Sequence, residues 1–234
     1  MLDHPSMTIA LGMTGELRRG WVGAWSPGIG DPNVMGWVTV VAYLWAAYLC
    51  FTVHRKWRAV AGPTNQARTW GPIALALLGQ RRRLAALPEA LRMGALWNAL
   101  AIGLLLLGIN KQLDLQTALT EFGRILAAKQ GWYEQRQRVQ IDFIIGVVLV
   151  GIWLIGSVLL LAGRNLPRLG LALVGIVFLC CFVAIRASSF HHVDRLLGAD
   201  LGGLKINWIM ELGGIALVGL GAYGERRALN RALL

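Results

Sequence analysis

Long apolar runs separated by short polar segments set the plan of this chain. Five of them are long enough, or nearly so, to cross about 30 Å of hydrocarbon as helices: residues 32–53, 93–110, 143–163, 169–185 and 206–223. The fourth, LGLALVGIVFLCCFVAI, is the shortest, and the segment with Arg186, Ser188 and Ser189 extends it towards the head groups. PIALALLG at 72–79 is too short to span and is expected to be a buried or interfacial piece of a loop. Residues 113–128 carry a different rhythm. Leu115, Leu119, Phe122 and Leu126 recur at spacings of three and four, interrupted by Asp114, Glu121 and Arg124, which is the period of an amphipathic helix. This helix, followed by Trp132 and Tyr133, is expected to lie flat on the outer membrane interface. The predicted fold class is all-α: one polytopic integral membrane bundle over residues 1–234, with five transmembrane helices and one outer-face interfacial helix.

Composition agrees with that plan, and charge gives it a direction. Hydrophobic residues make up 56% of the chain and charged residues only 15%, against about 25% charged in a soluble domain. A net charge of +11 would fit a nucleic-acid binder if it were spread over a soluble surface. Here it is sorted by side. The connections after the first and third runs, with the C-terminal tail, hold thirteen Lys and Arg against two acids, Glu89 and Glu225. The opposite side holds ten against ten. The positive-inside rule then places the N-terminus outside and the C-terminus in the cytoplasm, in what is expected to be a bacterial inner membrane. The same asymmetry makes membrane lipids the expected partner of the basic face and removes the case for nucleic acid. The opening MLDHPSMTIALGMTGELRRG lacks the basic start and continuous apolar core of a secretory signal, so it is expected to stay on the protein.

Trp45, Trp97 and Trp153 fall deep in their runs and are expected between helices, while Trp37, Trp57, Trp70 and Trp208 fall near predicted interfaces. Gly146 with Gly151 and Gly156, Gly170 with Gly175, and the pair Gly213–Gly214 are candidate points of close helix approach. Cys50, Cys180 and Cys181 lie in apolar runs without CxxC spacing, so they are expected to be buried small hydrophobes.

Candidate chemistry gathers at the predicted outer ends. RASSFHHVDRLLG, residues 186–198, joins the fourth and fifth runs and holds two of the four histidines. Ser188 or Ser189 suits the cap of a short helix on which His191 and Asp194 are three apart, a spacing that lets a carboxylate fix an imidazole tautomer. Adjacent His191 and His192 would point about 100° apart on a helix, so both cannot serve one ion. Glu211 is the one acid well inside an apolar run, where a carboxylate needs a cation, a proton or protein contact. Lys111, Arg186, Arg195 and His191 or His192 are the candidate partners on its side. Asn207 stands one turn before Glu211, and Asp142 ends a ladder with Glu134 and Arg138 at four-residue spacing.

The candidate catalytic residues are therefore Glu211, His191, His192 and Asp194, and the candidate ligand-binding residues are Lys111, Arg186, Asn207, Asp142 and Asp114. Arg186, His191 or His192, Asp194, Asn207 and Glu211 are expected to share one pocket. No HExxH, Walker loop, GxSxG or CxxCH is present, and the sequence specifies neither a metal nor a cofactor. The expected function is that of a subunit, assembly factor or scaffold, with a protein partner or a second copy, carrying a polar pocket at the extracytoplasmic face. Its alternatives are a membrane-embedded enzyme, such as a metal-dependent hydrolase acting on a lipid, and an oligomeric transporter. Transport is disfavoured because the inner halves of most runs are nearly bare of polar residues.

Overall fold

The computed structural model describes residue 26 and residues 32–62, 70–130, 136–187, 200–201 and 204–232. Among them are eight α-helices: α1 (Val34–Ala61), α2 (Gly71–Leu77), α3 (Arg81–Ala85), α4 (Glu89–Leu113), α5 (Leu115–Gln130), α6 (Arg136–Ala162), α7 (Leu166–Ala187) and α8 (Ile206–Ala232). A two-residue antiparallel pairing, β1 (Asp200–Leu201) with β2 (Leu204–Lys205), precedes α8. The fold is an all-α membrane bundle.

Local chemistry sets the helix ends. Asn33 caps α1 by accepting from the Gly36 N–H at 2.7 Å, and Gly62, at φ +79°, ends it. α4 ends at Asp114, whose φ of +47° is left-handed, a conformation a short polar side chain tolerates. The Thr117 hydroxyl donates to the Asp114 carboxylate at 2.6 Å, while the Thr117 and Ala118 N–H groups bond its carbonyl. One residue thus closes α4 and opens α5. α5 is the amphipathic helix expected at 113–128, shifted by two residues, and its Leu115, Phe122 and Leu126 remain exposed. Its apolar stripe is not consumed by the bundle.

Among the described residues, four stretches are long and apolar enough to cross a membrane: Val34–Ala61, Glu89–Leu113, Val148–Val183 and Ile206–Ala232. Five were expected, and the difference lies in the third. Its 36 residues run through α6 and α7, divided only by the turn Gly163–Asn165. As a single helix they would reach about 54 Å, nearly twice the hydrocarbon thickness. Gly163, at φ +54°, breaks the run at the position where the sequence ends its third span.

α1, α4, α7 and α8 form the packed body. α4 is antiparallel to α1, because Gly94 faces Trp57 while Gly108 faces Tyr43. α7 is antiparallel to α8, with Ala172 against Gly221 and Leu179 against Gly214. α8 is parallel to α1: Tyr43 bonds Glu211 and Trp57 bonds Glu225, both pairs 168 positions apart. Between these two ends the interior is largely apolar, with Ala46, Cys50, Leu104, Ile215 and Val218 buried; His54 and Asn98 are buried polar side chains nearer the Glu225 end. α6 leans on α2, α4 and the turn into α7, and its Trp153 indole donates to the Leu77 carbonyl at 3.1 Å. Ile145, Leu149, Ile152 and Leu154 leave much of α6 exposed, as a lipid-facing helix would be.

That geometry corrects several expectations. A Cβ at Gly175 would stand 2.7 Å from the Val218 nitrogen, and one at Gly214 2.7 Å from Leu179. Gly146, Gly151, Gly156, Gly170 and Gly213 meet nothing within 4 Å, because they lie off the α7–α8 seam. Trp97 is buried; Trp45, whose ring lies against Gly219 of α8, and Trp153, bonded to α2, reach neighbouring helices as expected but stay about half exposed. Trp57, expected at an interface, is buried. Cys50 is buried, whereas Cys180 and Cys181 are exposed, since Leu179 and Phe182 take the inward positions of that turn of α7.

Candidate functional site

The parallel register of α1 and α8 sets Tyr43 beside Glu211, and the antiparallel α4 brings Lys111 to the same level. Gly108, one turn before Lys111, permits that approach: a Cβ there would come within 3.2 Å of the Tyr43 Cβ. Glu211 is only 3% exposed. Its Oε1 accepts from the Tyr43 hydroxyl at 3.2 Å, and its Oε2 accepts from the Lys111 ammonium at 3.0 Å. Three helices supply one group each, and both carboxylate oxygens are satisfied, as a charge within an apolar bundle requires.

A cavity of about 40 Å³ opens beside the pair. Tyr43, Asn110, Lys111, Asp114 and Glu211 form its polar side, and Leu107, Phe182 and Val183 its apolar side. That is room for a small polar group, well short of a drug-sized pocket. Two carboxylates against one ammonium leave the lining with an excess of negative charge. Among the described residues, buried polar atoms at this end also lack hydrogen-bond partners: both amide atoms of Gln112, next to Lys111, and Oδ1 of Asn207, one turn before Glu211. Such groups cost about 1–3 kcal/mol each when left unpaired.

Of the candidate catalytic residues, Glu211 is at the centre of this site, while His191, His192 and Asp194 lie outside the described residues. Of the candidate ligand-binding residues, Lys111 and Asp114 line the cavity with Glu211. Asn207 is nearby on α8 but does not line it, and Asp142 is exposed on α6. Arg186 belongs to the last turn of α7, and its side chain lies outside the described set, as do those of Glu134 and Arg138. Among the described residues the Glu211 cavity is built by α1, α4 and α8, with Phe182 and Val183 of α7 as its wall, while most of the pocket expected where α7 meets α8 lies outside them. Tyr43 was the missed residue. Its signal was a phenol inside an apolar run, whose hydroxyl needs a partner when buried.

The far end of the bundle holds a second charged cluster. Glu225 is buried, and its Oε1 accepts from the Trp57 indole at 3.2 Å and pairs with the Arg168 guanidinium at 3.2 Å. That guanidinium also lies over the Trp57 ring, 5.6 Å from its centroid. His54 Nδ1–H donates to the Gly94 carbonyl at 2.7 Å. The sequence placed Glu225 in a solvated tail and gave no sign of this cluster.

Among the described residues, no three His, Cys, Asp or Glu side chains converge as a metal site. Comparison with models of known families, with curated proteins and with solved structures finds no match.

Proposed function

We propose that this is a multi-pass membrane protein of the subunit or scaffold kind, whose working surface is the Lys111 cavity and whose partner is an amphipathic molecule that places its polar end there. The Lys111–Glu211 pair at the cavity wall, with Tyr43, carries this reading. Cohesion alone does not call for such a pair, since an apolar contact of similar volume often serves as well or better. Ionisable groups inside a membrane more often mark a working site. The negative excess of the lining favours a ligand that brings an ammonium or hydroxyl donor. The largely apolar interior supports binding over passage: a solute would have to cross roughly 21 Å between the levels of Glu211 and Glu225.

The thirteen-to-two charge asymmetry supports placing this cavity at the extracytoplasmic face of an inner membrane. Reporter fusions at the C-terminus and within residues 60–90 should both signal cytoplasm, and an extracytoplasmic signal from either overturns that orientation. For the cavity, the protein is extracted from its membrane in mild detergent and its co-purifying small molecules are identified by mass spectrometry. The wild type should retain a ligand that Glu211→Gln loses at nearly unchanged folded yield. An identical complement of molecules on both proteins would remove the cavity from function.

A further inference from the structure

The turn between α6 and α7 gathers arginines that the Lys111 cavity does not use. Gly163 has the left-handed φ that this turn needs, and it serves a second purpose. Nη1 of Arg92, reaching across from α4, lies 3.1 Å from where a Cβ on Gly163 would stand. The missing side chain is the space the guanidinium occupies. Arg92 has a buried Nε without a hydrogen-bond partner, and no ion pair, among the described residues. Arg164 is exposed within the same turn. Arg168 follows one helical turn later, with a side chain still 42% exposed although it pairs with Glu225 and stacks on Trp57.

The charge balance is one-sided. Three guanidinium groups meet one buried carboxylate, Glu225, while Glu89, in the first turn of α4, is exposed. Each guanidinium carries five N–H donors in a planar fork that matches phosphate oxygens. Glu225 engages Arg168 through a single oxygen and leaves most of its fork available. Trp57 and Glu225 hold that fork in place, which lowers the entropy lost when an anion binds. The first turn of α7 adds a favourable dipole for negative charge. The neighbouring surface decides what carries the phosphate. Leu166, Leu171, Val174 and Phe178 run exposed along α7 away from the turn, an apolar track that suits acyl chains.

We infer that the α6–α7 turn is a binding site for the phosphate of one anionic phospholipid, bound by Arg92, Arg164 and Arg168 over the Gly163 cradle. The site is independent of the ligand in the Lys111 cavity, so either can fail without the other.

The test uses the full chain in detergent, titrated in native mass spectrometry with phosphatidylglycerol or with phosphatidylcholine of the same acyl chains. One phosphatidylglycerol should bind at least about tenfold more tightly than phosphatidylcholine. Arg92→Gln and Arg164→Gln should each weaken it roughly fivefold, the scale of one arginine at an anionic surface. Arg82→Gln, an exposed basic residue of α3, should leave it unchanged. Arg164→Gln keeps the test available if Arg92→Gln fails to fold. Equal affinity for the two lipids overturns the site, and so does a loss in Arg82→Gln matching that in Arg164→Gln, which would mean a diffuse basic surface. Displacement of phosphatidylglycerol by millimolar inorganic phosphate would assign the turn to a free anion and overturn the lipid.

Discussion

Lys111→Met removes the cation of the buried pair while keeping an unbranched chain of similar length. The ammonium and carboxylate are 3.0 Å apart, with only 9% and 4% of their side chains exposed. At an effective dielectric of about 20 their attraction is about 5–6 kcal/mol. Burial costs each ion several kcal/mol of hydration, so the intact pair lies near balance. The single substitution upsets that balance. Glu211 keeps its desolvation cost, loses Lys111 and retains the Tyr43 hydroxyl. Breaking one side of a buried pair costs about 3–5 kcal/mol, and Lys111→Met should fall in that range.

The reverse change behaves differently. Glu211→Gln strands the ammonium instead, but its amide oxygen still accepts from Lys111 or Tyr43 and Asp114 remains in the cavity lining, so the loss should be smaller, about 2–3 kcal/mol. Lys111→Met combined with Glu211→Gln strands no charge and should recover most of the stability, to within about 1–2 kcal/mol of wild type. Denaturant unfolding in mixed micelles, followed by tryptophan fluorescence, gives all four corners of the cycle. The expected coupling is at least about 2 kcal/mol in favour of the double variant. Additive losses, or a loss below about 1 kcal/mol for Lys111→Met, would mean that the two charges do not meet in a desolvated bundle.

At the α7–α8 seam, Gly175→Ala should cost about 1–3 kcal/mol, because its Cβ meets the backbone nitrogen of Val218 at 2.7 Å. Gly170→Ala, with nothing in reach, should be neutral or stabilising, and thermal unfolding of the two proteins separates them. Asn33→Ala removes the cap of α1 and should cost about 1 kcal/mol, seen as faster hydrogen exchange at Gly36. Replacing Arg168 and Glu225 together with Met and Gln should change stability without changing ligand retention at the Lys111 end; loss of that ligand would show that the two ends are coupled.

The spans were legible because burial in hydrocarbon demands long uninterrupted apolar runs, and the structure parts two of them at the left-handed Gly163, where the third run was expected to end. Which faces meet was not legible. Gly146 and Gly175 look alike in sequence, and only the seating of α7 on α8 makes one a contact and leaves the other open. Glu211 announced that it needed a partner, but Lys111 stood equal with Arg186, Arg195 and two histidines, since a separation of 100 positions carries no geometry. Glu225 was hidden by its neighbours. In the run GERR it resembles a solvated tail charge, and the span was expected to end at 223, yet α8 continues to Ala232. α1 likewise runs to Ala61, past the expected end at 53, and carries His54 and Trp57 into the body. Helices that outlast their apolar runs bring polar residues into packed positions, where hydropathy cannot see them.

The two clamps between α1 and α8 recur after the same interval, from position 43 to 57 on one helix and from 211 to 225 on the other. Two heptads separate them, the interval at which parallel helices supercoiled about each other present the same face, with a drift of only about 40° for straight helices. A slip of one turn would therefore break both clamps together and strand two buried carboxylates, whereas a purely apolar seam would lose far less. Charged pairs in a core are best understood as fixing register in this way, at little net gain in stability. Either clamp would suffice to define the register once the other was set. The Glu225 clamp does little else to the interior, for its cation reaches outward to the surface of the α6–α7 turn. The Lys111 clamp faces inward onto a cavity, beside the left-handed Asp114 and, among the described residues, the unpartnered amide of Gln112 and Oδ1 of Asn207. Register does not require any of those features, and their concentration at one end is why the functional weight falls on Glu211.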